Sequence, residues 1–326
     1  MYIYVYNICN IYIISEGKFV INNYYVYGLN IKSEIEIEEF EKVDKIQSKD
    51  IVTIRYGKMQ KEIKDKILNG CNVQLFKDKI WFHIDDIATY CITNGNSIEV
   101  ELCENPNMQL MKVYVMCSCL GFIMLQRDMV AIHGSVIEMD NKAVIFTGDK
   151  GAGKSTLSTA LREKGYKFIS DDVASTKFDK VPYVMPGFPY QKLCKSTMDK
   201  FGYRKDEYIS FMSDYEIKYI VPAKDKFVYE DRQLTAIVKL DVGNVEKVTI
   251  EELKGNEKLN NIIENIYRGE YIKYLDGMNP KYFKQCLNIA KNIRFFKVTR
   301  PINQFTVDEQ IELIEKSIIG VKEAVV

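Results

Sequence analysis

The order of apolar and polar residues divides the 326-residue chain into a β-rich first third, one long apolar segment and an alternating remainder. From Met1 to about Cys103, runs rich in Tyr, Ile, Val and Phe are separated by Gly and Asn, which predicts short strands and turns. These runs are YIYVYNI, KFVINNYYVYGL, NVQLFKDKIWFHI, YCITNG and SIEVELC. Residues 42–68 are densely charged, and their pattern assigns no element. The first third is therefore predicted to be a β-rich unit.

A long apolar segment, NPNMQLMKVYVMCSCLGFIMLQRD, follows this unit. It starts with Asn and Pro and is apolar on most faces, which predicts a buried helix joining two units. Its apolar run from Leu110 to Leu125 contains Lys112 and is shorter than the roughly 20 residues that span a bilayer. We interpret it as a core helix and expect no membrane segment. The opening MYIYVYNICNIYII has neither a basic leader nor a cleavage site, so we predict a strand there rather than a signal peptide.

Strand and helix signals alternate in the rest of the chain. MVAIHGSVIEMD and KAVIFTG are predicted to form a hairpin joined at Asp140 and Asn141, and KSTLSTALREKG a helix that Gly165 ends. YKFISDD is the next predicted strand. Later helices are predicted near residues 196–201 and in NEKLNNIIENIYRG, PKYFKQCLNIAKNI and TVDEQIELIEKSI, with strands in LTAIVKLD and RFFKVTRP. We predict an α/β fold in three closely packed parts, 1–107, 108–127 and 128–326, of which the second is the buried helix.

Composition and charge narrow the class of protein. Forty-five Lys and Arg against forty-five Asp and Glu give a formal net charge of zero, and the chain has no long basic block, so nucleic-acid binding is not expected. The eight cysteines include no CxxC pair, which predicts reduced thiols and a cytoplasmic location. With only two histidines in the chain, a Cys/His zinc site is not predicted.

The segment GDKGAGKS, from Gly148 to Ser155, satisfies the phosphate-binding pattern GxxxxGK[ST] and lies between a predicted strand and a predicted helix. Its glycines allow backbone N–H groups to surround a triphosphate at a helix N-terminus, where the helix dipole favours anions. Lys154 is predicted to reach the β and γ phosphates, and Ser155 to offer its hydroxyl to Mg²⁺. The residues predicted to bind ATP are Gly148, Asp149, Lys150, Gly151, Ala152, Gly153, Lys154, Ser155 and Thr156.

Two carboxylates, Asp171 and Asp172, end the strand that follows this helix. One can hold Mg²⁺ together with Ser155, and the other can accept a proton from an attacking hydroxyl. A motor ATPase usually carries its acid much farther along the chain, so this compact order favours phosphate transfer over motion. His133 lies on the strand paired with the one that enters the loop, where it either packs against its neighbours or tunes the base.

The segment IHGSVIEMDNKAVIFTGDKGAGKSTLSTALREKGYKFISDDV resembles the core of the HPr kinase/phosphorylase family, which pairs an HG strand with a Walker A loop and a DD strand. That core is related in fold to the ATP-dependent phosphoenolpyruvate carboxykinases. YYVYGLNIKSEIEI, PGFPYQKL and VTRPI are similar to the HPr-kinase-like proteins found with ribosomally made peptides, notably lasso peptides, some of which phosphorylate a hydroxyl of the precursor. The resemblance implies an HPr kinase C-terminal-like P-loop core with a mixed sheet, plus a β-rich N-terminal domain.

Carried onto this sequence, the resemblance implies that Lys154 and Ser155 bind ATP and Mg²⁺. It further implies that Asp171 is the general base, that Asp172 helps to hold the metal and that His133 supports the base. The two aspartates are exchangeable in these roles.

Other positions extend this assignment or depart from the family. Lys192 and Arg300 are candidates for cations that contact phosphate or the acceptor, although Arg300, next to Pro301, suits a surface ion pair equally well. Thr156 stands where HPr kinases carry an acid, and their segment associated with phosphorolysis is not identifiable here. Neither reverse activity nor HPr as the acceptor therefore follows from the resemblance.

The sequence thus predicts a kinase that transfers the γ-phosphate of ATP to a Ser or Thr hydroxyl of a peptide or protein, with a ribosomal peptide precursor as one candidate. The alternatives are a kinase of a small hydroxyl compound such as free serine, a kinase of HPr itself, and a nucleotide-dependent regulatory or binding protein. A carboxykinase is less favoured, because no further His or Lys suits a second metal ion. Related enzymes often assemble, so a homo-oligomer is compatible with this reading.

Overall fold

The computed structural model describes residues 20–46, 48–213 and 216–320. The strand predicted at residues 1–14, together with Cys9, lies outside the described residues. Within them the fold is α/β with mixed sheets, and the seven described cysteines are free thiols.

The first part of the described chain forms a seven-stranded mixed sheet in the order β1-β2-β3-β7-β6-β5-β4. Strands β2, β3 and β7 run parallel, and the other neighbours are antiparallel. This confirms the prediction of a β-rich first third. It also assigns β3 and one helix to the charged region that the sequence left open. The elements are β1 Asn22–Val26, β2 Leu29–Ser33, β3 Ile51–Tyr56, α1 Lys61–Leu68, β4 Val73–Leu75, β5 Lys79–Ile84, β6 Ala88–Thr93 and β7 Ser97–Leu102.

A continuous helix, Met108–Gln126, follows this sheet, and we call it the connecting helix. It consists of α2 (Met108–Tyr114), a π-helical turn (Val115–Cys119) and α3 (Leu120–Gln126). Asn107 caps its start by accepting the backbone N–H of Leu110. The helix is long and apolar enough to cross a membrane, but 61% of its most apolar window is buried inside the protein. The prediction of a buried helix is confirmed.

The rest of the chain builds an eight-stranded mixed sheet and a small three-stranded sheet. The strands are β8 Ala131–Met139, β9 Lys142–Gly148, β10 Lys167–Ser170, β11 Val173–Phe178, β12 Pro182–Val184, β13 Tyr190–Cys194, β14 Ser210–Ser213, β15 Glu216–Pro222, β16 Arg232–Gly243, β17 Thr249–Leu253 and β18 Arg294–Pro301. The helices are α4 Lys154–Glu163, α5 Lys195–Lys200, α6 Gly255–Glu264, α7 Pro280–Asn292 and α8 Val307–Ile318. All helices predicted in this region are present.

The strand order of the larger sheet sets the position of the phosphate-binding motif. Strand β9 lies between β8, which is antiparallel to it, and β16, which is parallel, and β18 continues the parallel set beyond β16. The carboxyl ends of β9, β16 and β18 therefore meet at one edge, where ligands of such sheets usually bind. On the other side of β8, strands β10 and β11 both pair with it antiparallel. The predicted strand YKFISDD is therefore separated from β9 by β8.

The hairpin of β8 and β9 is the part of this sheet that local sequence specifies most directly. Asp140 and Asn141 both adopt positive φ, 51° and 57°, and the flanking residues Met139 and Lys142 pair with each other. Two central residues with positive φ are typical of the turn that matches the twist of a two-residue hairpin. The hairpin predicted at these residues is confirmed.

One hydrophobic core continues from the first sheet through the connecting helix into the larger sheet. Its buried members include Phe82 of the first sheet, Leu120 of the helix, and Ala131 and Val173 of the second part. The predicted close packing of the two parts is therefore present. The division at residues 107 and 127 into separately folding units remains a prediction.

Gly134 of β8 lies where β9 leaves no room for a side chain. A Cβ at this residue would lie 2.4 Å from the carbonyl oxygen of Phe146, which is backbone and has no flexible end to move. We expect Gly134→Ala to lower the free energy of unfolding by about 3 kcal/mol, as overpacking of a tight core does. The measurement is denaturant unfolding followed by circular dichroism.

Gly57 provides the matched control for that substitution. Its Cβ would meet only the Glu99 side chain, at 3.4 Å or more, so Gly57→Ala should change the free energy of unfolding by less than about 0.5 kcal/mol. Equal stability of the two variants would contradict this account of the β8–β9 contact.

Candidate active site

The glycine-rich loop connects the end of β9 to the first residue of α4, as the sequence predicts. Gly148, Gly151 and Gly153 have φ of 134°, 85° and 108°, which side-chain-bearing residues rarely adopt. At Gly148 a Cβ would also lie 2.3 Å from the carbonyl oxygen of Leu240 on β16. Glycine is therefore required at this position both by its backbone conformation and by the neighbouring strand.

Lys154 is the first residue of α4, and its ammonium group folds back over the loop. It donates hydrogen bonds to the carbonyl oxygens of Gly148, at 2.7 Å, and Asp149, at 3.1 Å. Burial lowers the pKa of Lys154, while the charges of Asp172 and Asp171 act in the opposite direction. The lysine thus lies within electrostatic reach of both carboxylates.

The two residues after Lys154 hold different positions at the start of α4. Ser155 lies in the first turn, and its carbonyl accepts hydrogen bonds from the Ser158 and Thr159 hydroxyls. The Thr156 hydroxyl lies 3.0 Å from that of Thr197 on α5. Ser155 thus lies in the turn that follows the loop, whereas Thr156 connects α4 to α5.

Asp171 is the more deeply buried of the two carboxylates, and two donors orient it. Its Oδ1 accepts the hydroxyl of Ser135 on β8, and its Oδ2 accepts the backbone N–H of Lys192 on β13, each at 2.8 Å. Burial, and then the neighbouring charge of Asp172, raise the pKa of Asp171, although Lys192 and Ser135 act against this. Asp171 is thus the better proton acceptor of the pair.

Asp172 adopts a positive φ of 64° between β10 and β11, which turns its carboxylate to a different set of neighbours. The ammonium group of Lys192 donates to its Oδ2 at 2.5 Å, and the His133 Nδ1 lies 3.6 Å from its Oδ1. Burial alone raises the pKa of Asp172, but the charge of Lys192 and the hydrogen bond that it donates outweigh burial and hold that pKa well below its usual range. Asp172 therefore carries a negative charge at neutral pH.

His133 packs beside this carboxylate rather than next to Asp171. Its Nδ1 lies 3.1 Å from the carbonyl oxygen of Asp172, so that nitrogen carries the proton and donates it. The ring stacks on Tyr267, with 5.9 Å between centroids. Burial lowers the pKa of His133 more than Asp172 raises it. The His133 ring is therefore a neutral imidazole that positions Asp172.

Lys192 connects both carboxylates to the connecting helix. Besides its contacts to Asp171 and Asp172, its ammonium group lies 3.4 Å from the sulfur of Cys117, in the π-helical turn. Burial alone lowers the pKa of Lys192, but Asp172 dominates and holds that pKa well above its usual range. The sequence proposed Lys192 as a cation of the site, and the structure brings it there.

The sequence did not single out Lys218. Strand β15 pairs with β13 so that Lys218 of β15 is opposite Cys194 of β13. Cys194 lies two residues after Lys192 on β13. Side chains two residues apart share a face of a sheet, so Lys192 and Lys218 point to the same side. The charge of Lys218 acts on both Lys154 and Asp172. The small sheet thus contributes two lysines to the site, Lys192 and Lys218, in addition to Lys154 of the loop.

Arg300 lies at the end of β18, on the other side of the loop from the carboxylates. Its guanidinium nitrogens are 3.4 Å from the carbonyl oxygens of Gly151 and Ala152. The structure therefore places Arg300 against the phosphate-binding loop.

The donor set of the site fits Mg²⁺ only together with phosphate oxygens. Within the described residues, no cluster of three or more His, Cys, Asp or Glu side chains is arranged to hold a metal. Ser155 and Asp172 supply one hydroxyl and one ionised carboxylate. Mg²⁺ is usually bound by one or two such protein groups plus the phosphates of a substrate, so these residues fit that ion.

A sequence comparison with one known protein agrees with the resemblance seen in the sequence. A region of 73 residues is 33% identical to the HPr kinase/phosphorylase of Mycoplasmopsis pulmonis (strain UAB CTIP), covering 20% of this chain and 24% of that protein. The chain thus matches about a quarter of the length of that curated relative. A solved Hpr(Ser) kinase/phosphatase from Coxiella burnetii aligns with 58% of this chain and 93% of its own, at 14% identity and a TM-score of 0.28. No protein-family model matches the chain.

Proposed function

We propose that this protein is an ATP-dependent kinase that transfers the γ-phosphate to a Ser or Thr hydroxyl of a peptide or protein. The observation that carries the proposal is the position of Asp171 and Asp172 against Ser135 and His133 of β8, the strand paired with β9, which leads into the loop and Lys154. A loop that only anchors a nucleotide needs no proton acceptor, whereas transfer to a hydroxyl does. The partial match to an HPr kinase/phosphorylase supports the same class of reaction.

In the proposed reaction Asp171 accepts the proton of the acceptor hydroxyl, and the hydroxyl oxygen forms a bond to the γ-phosphorus. The bond from that phosphorus to the bridging oxygen breaks, and ADP leaves with the electron pair. Lys154 moves from the loop carbonyls onto the β and γ phosphates and offsets the charge that develops there. Lys192 and Lys218 add positive charge on the side of the acceptor.

Mg²⁺ would be held by Ser155 and Asp172 together with phosphate oxygens, and when bound it neutralises phosphate charge. Asp172 suits this role because its low pKa keeps it ionised. Lys192 donates a hydrogen bond to its carboxylate, and His133 donates one to the backbone carbonyl of the same residue. The exchanged assignment has Asp172 as the base and Asp171 as the metal-holding group. The Mg²⁺ dependence of Asp171→Asn and Asp172→Asn distinguishes the two assignments.

Among acceptors, we propose a peptide, with a ribosomal peptide precursor as the leading candidate. Support comes from the similarity of YYVYGLNIKSEIEI, PGFPYQKL and VTRPI to the peptide-associated branch. PGFPYQKL, residues 186–193, includes Lys192, so this resemblance covers part of the site itself. HPr, free serine and a purely regulatory role are the alternatives.

The test is to incubate the protein with γ-labelled ATP and Mg²⁺ and, separately, a Ser-containing peptide, an HPr-type protein and free serine. We expect label on the peptide and lower or absent label on the other two. Label on HPr or on serine alone would replace the peptide proposal with that acceptor. Binding of ATP without any labelled acceptor would favour the regulatory reading and contradict the kinase.

Lys154→Met provides the control for this assay. The substitution keeps the length of the side chain but removes its charge, and we expect transfer to fall by about 100-fold or more, as it does when one electrostatic stabiliser of a transition state is lost. Transfer by this variant at the parent rate would contradict the role given to the loop.

A further inference from the structure

The small sheet of β13, β15 and β14 turns one face to α5 and the other to the candidate active site. On the first face, Leu193 and Val221 are buried against Met198 of α5. On the opposite face, Ile220 belongs to the core that continues into the connecting helix. Lys192 pairs with Ile220, and residues that pair directly share a face of a sheet. The second face therefore belongs both to the core and to the site.

Lys218 lies on this second face. It is opposite Cys194 of β13 on one side and opposite Phe211 of β14 on the other. Cys194 shares a face with Lys192, because the two are separated by two residues along one strand. Phe211 packs against the same core as Ile220. The pairing on both sides therefore directs the Lys218 side chain toward the site.

Lys218 is the lysine of the site that lacks a polar partner of its own. Lys192 pairs with Asp172, and Lys154 donates to the loop carbonyls. Lys218 is half-buried, and within the part of the chain that the structure describes it forms neither an ion pair nor a hydrogen bond. Glu216, two residues earlier on the same face, does not pair with it. Burying a charge without a partner costs free energy, so this ammonium group is suited to a negatively charged group of a ligand.

The position of Lys218 along the sheet indicates which part of an acceptor would supply that negative group. The backbone N–H of Lys192 donates to Asp171, so Lys192 marks where along β13 the acceptor hydroxyl would lie. Cys194, the residue opposite Lys218, is two residues farther along, which is about 7 Å at the rise of a strand. An extended peptide covers that distance in about two residues. The charge of Lys218 also acts on Asp172, so its ammonium group stays within electrostatic reach of the reacting groups.

We propose that Lys218 binds an acidic side chain of the acceptor peptide, within two residues of the Ser or Thr that receives the phosphate. The ammonium group donates to the carboxylate, which gives a charge-assisted hydrogen bond. The inference rests on the proposed function, because it assumes that the acceptor hydroxyl is bound beside Asp171. It adds the class of substrate, an acidic peptide, and names Lys218 as the residue that determines this specificity.

The test uses pairs of single-Ser peptides that differ only in carrying Asp or Asn two residues before or two residues after the Ser. Both termini are blocked, so the Asp side chain is the one carboxylate in each pair. For the parent protein, kcat/KM for transfer from ATP should be about tenfold higher for the Asp peptide of at least one pair, as one charge-assisted hydrogen bond would give. In Lys218→Met this ratio should fall to within about twofold of one. A general loss of rate cancels in the ratio.

Two further variants make the comparison specific. Lys218→Glu reverses the charge and should favour a peptide with Lys at the tested position over the peptide with Asp. Lys177→Met is the control, because Lys177 is an exposed lysine of β11, and it should keep the parent ratio. Circular dichroism checks that each variant is folded.

The outcomes separate this specificity from the kinase activity itself. Equal use of the Asp and Asn peptides by the parent protein would overturn the acidic-peptide specificity and leave the kinase standing. A parent-like ratio in Lys218→Met would do the same, because Lys218 would then act equally on both acceptors. Absence of label on every peptide would contradict the proposed transfer to peptides, and this inference would fail with it.

Discussion

Asp171→Asn should lower the rate of phosphate transfer by about 10²–10⁴, the range that loss of a general base produces. Asparagine has the same size, and its oxygen can accept the Lys192 backbone N–H while its amide group donates to the Ser135 hydroxyl, which can also act as an acceptor, so the fold and the loop should be unaffected. It cannot take a proton from the acceptor at neutral pH. The measurement is single-turnover transfer of label from ATP, with the Kd of ATP determined in parallel and expected to remain unchanged.

Asp172→Asn separates the two carboxylates in the same assay. With Asp172 as the metal-holding group, this variant should need a higher Mg²⁺ concentration for half-maximal transfer and should recover part of its rate at saturating Mg²⁺. Asp171→Asn should recover nothing under those conditions. The reverse pattern, in which Mg²⁺ rescues Asp171→Asn and not Asp172→Asn, would assign the base to Asp172.

Lys192→Met should lower the free energy of unfolding at pH 7 by about 3 kcal/mol, because removing one member of a buried ion pair leaves the other charge unpaired. In the parent protein the lowered pKa of Asp172 contributes stability above the unfolded value near 3.8, and this contribution is lost as the pH falls through the folded value. In the variant, burial should raise that pKa above 3.8. Asp172 then takes up a proton on folding, so the deficit relative to the parent should shrink as the pH falls from 7 toward 4.

Lys167 provides the control for this substitution. It forms an ion pair with Glu138 at 3.1 Å, but its side chain is 55% exposed and Arg232 also contacts the same carboxylate. Lys167→Met should therefore change the free energy of unfolding by less than about 1 kcal/mol, with little dependence on pH. Similar losses from both substitutions, or a deficit for Lys192→Met that grows toward acid pH, would contradict the assignment of a buried Lys192–Asp172 pair.

Sequence reasoning was most successful where the determinants are local. The turn at Asp140 and Asn141, the loop ending at Lys154 and the helix stop at Gly165 are each set by a few neighbouring residues, and all are present. The hydrophobic pattern likewise located the connecting helix. Such features can be predicted from local sequence, because about ten neighbouring residues determine the geometry of a turn or the periodicity of a helix.

The parts that escaped prediction depend on contacts between distant segments. Lys218 enters the site only because β15 pairs with β13, across a stretch that contains α5 and β14. Local pattern does not encode which strands become neighbours. The sequence therefore predicted Lys154, Asp171, Asp172 and Lys192 for one site, but not Lys218.

The π-helical turn has a consequence for how this protein can be divided or recombined. The turn places the sulfur of Cys117 on Lys192, and Tyr267 donates a hydrogen bond to the carbonyl of Cys117. Gly121 lies so close that a Cβ there would be 2.7 Å from the Tyr267 ring. The helix is thus packed against the candidate active site rather than being a linker. Chimeras that exchange the first sheet between relatives should keep this helix together with the second part of the chain, because its contacts with Lys192 and Tyr267 would otherwise be lost.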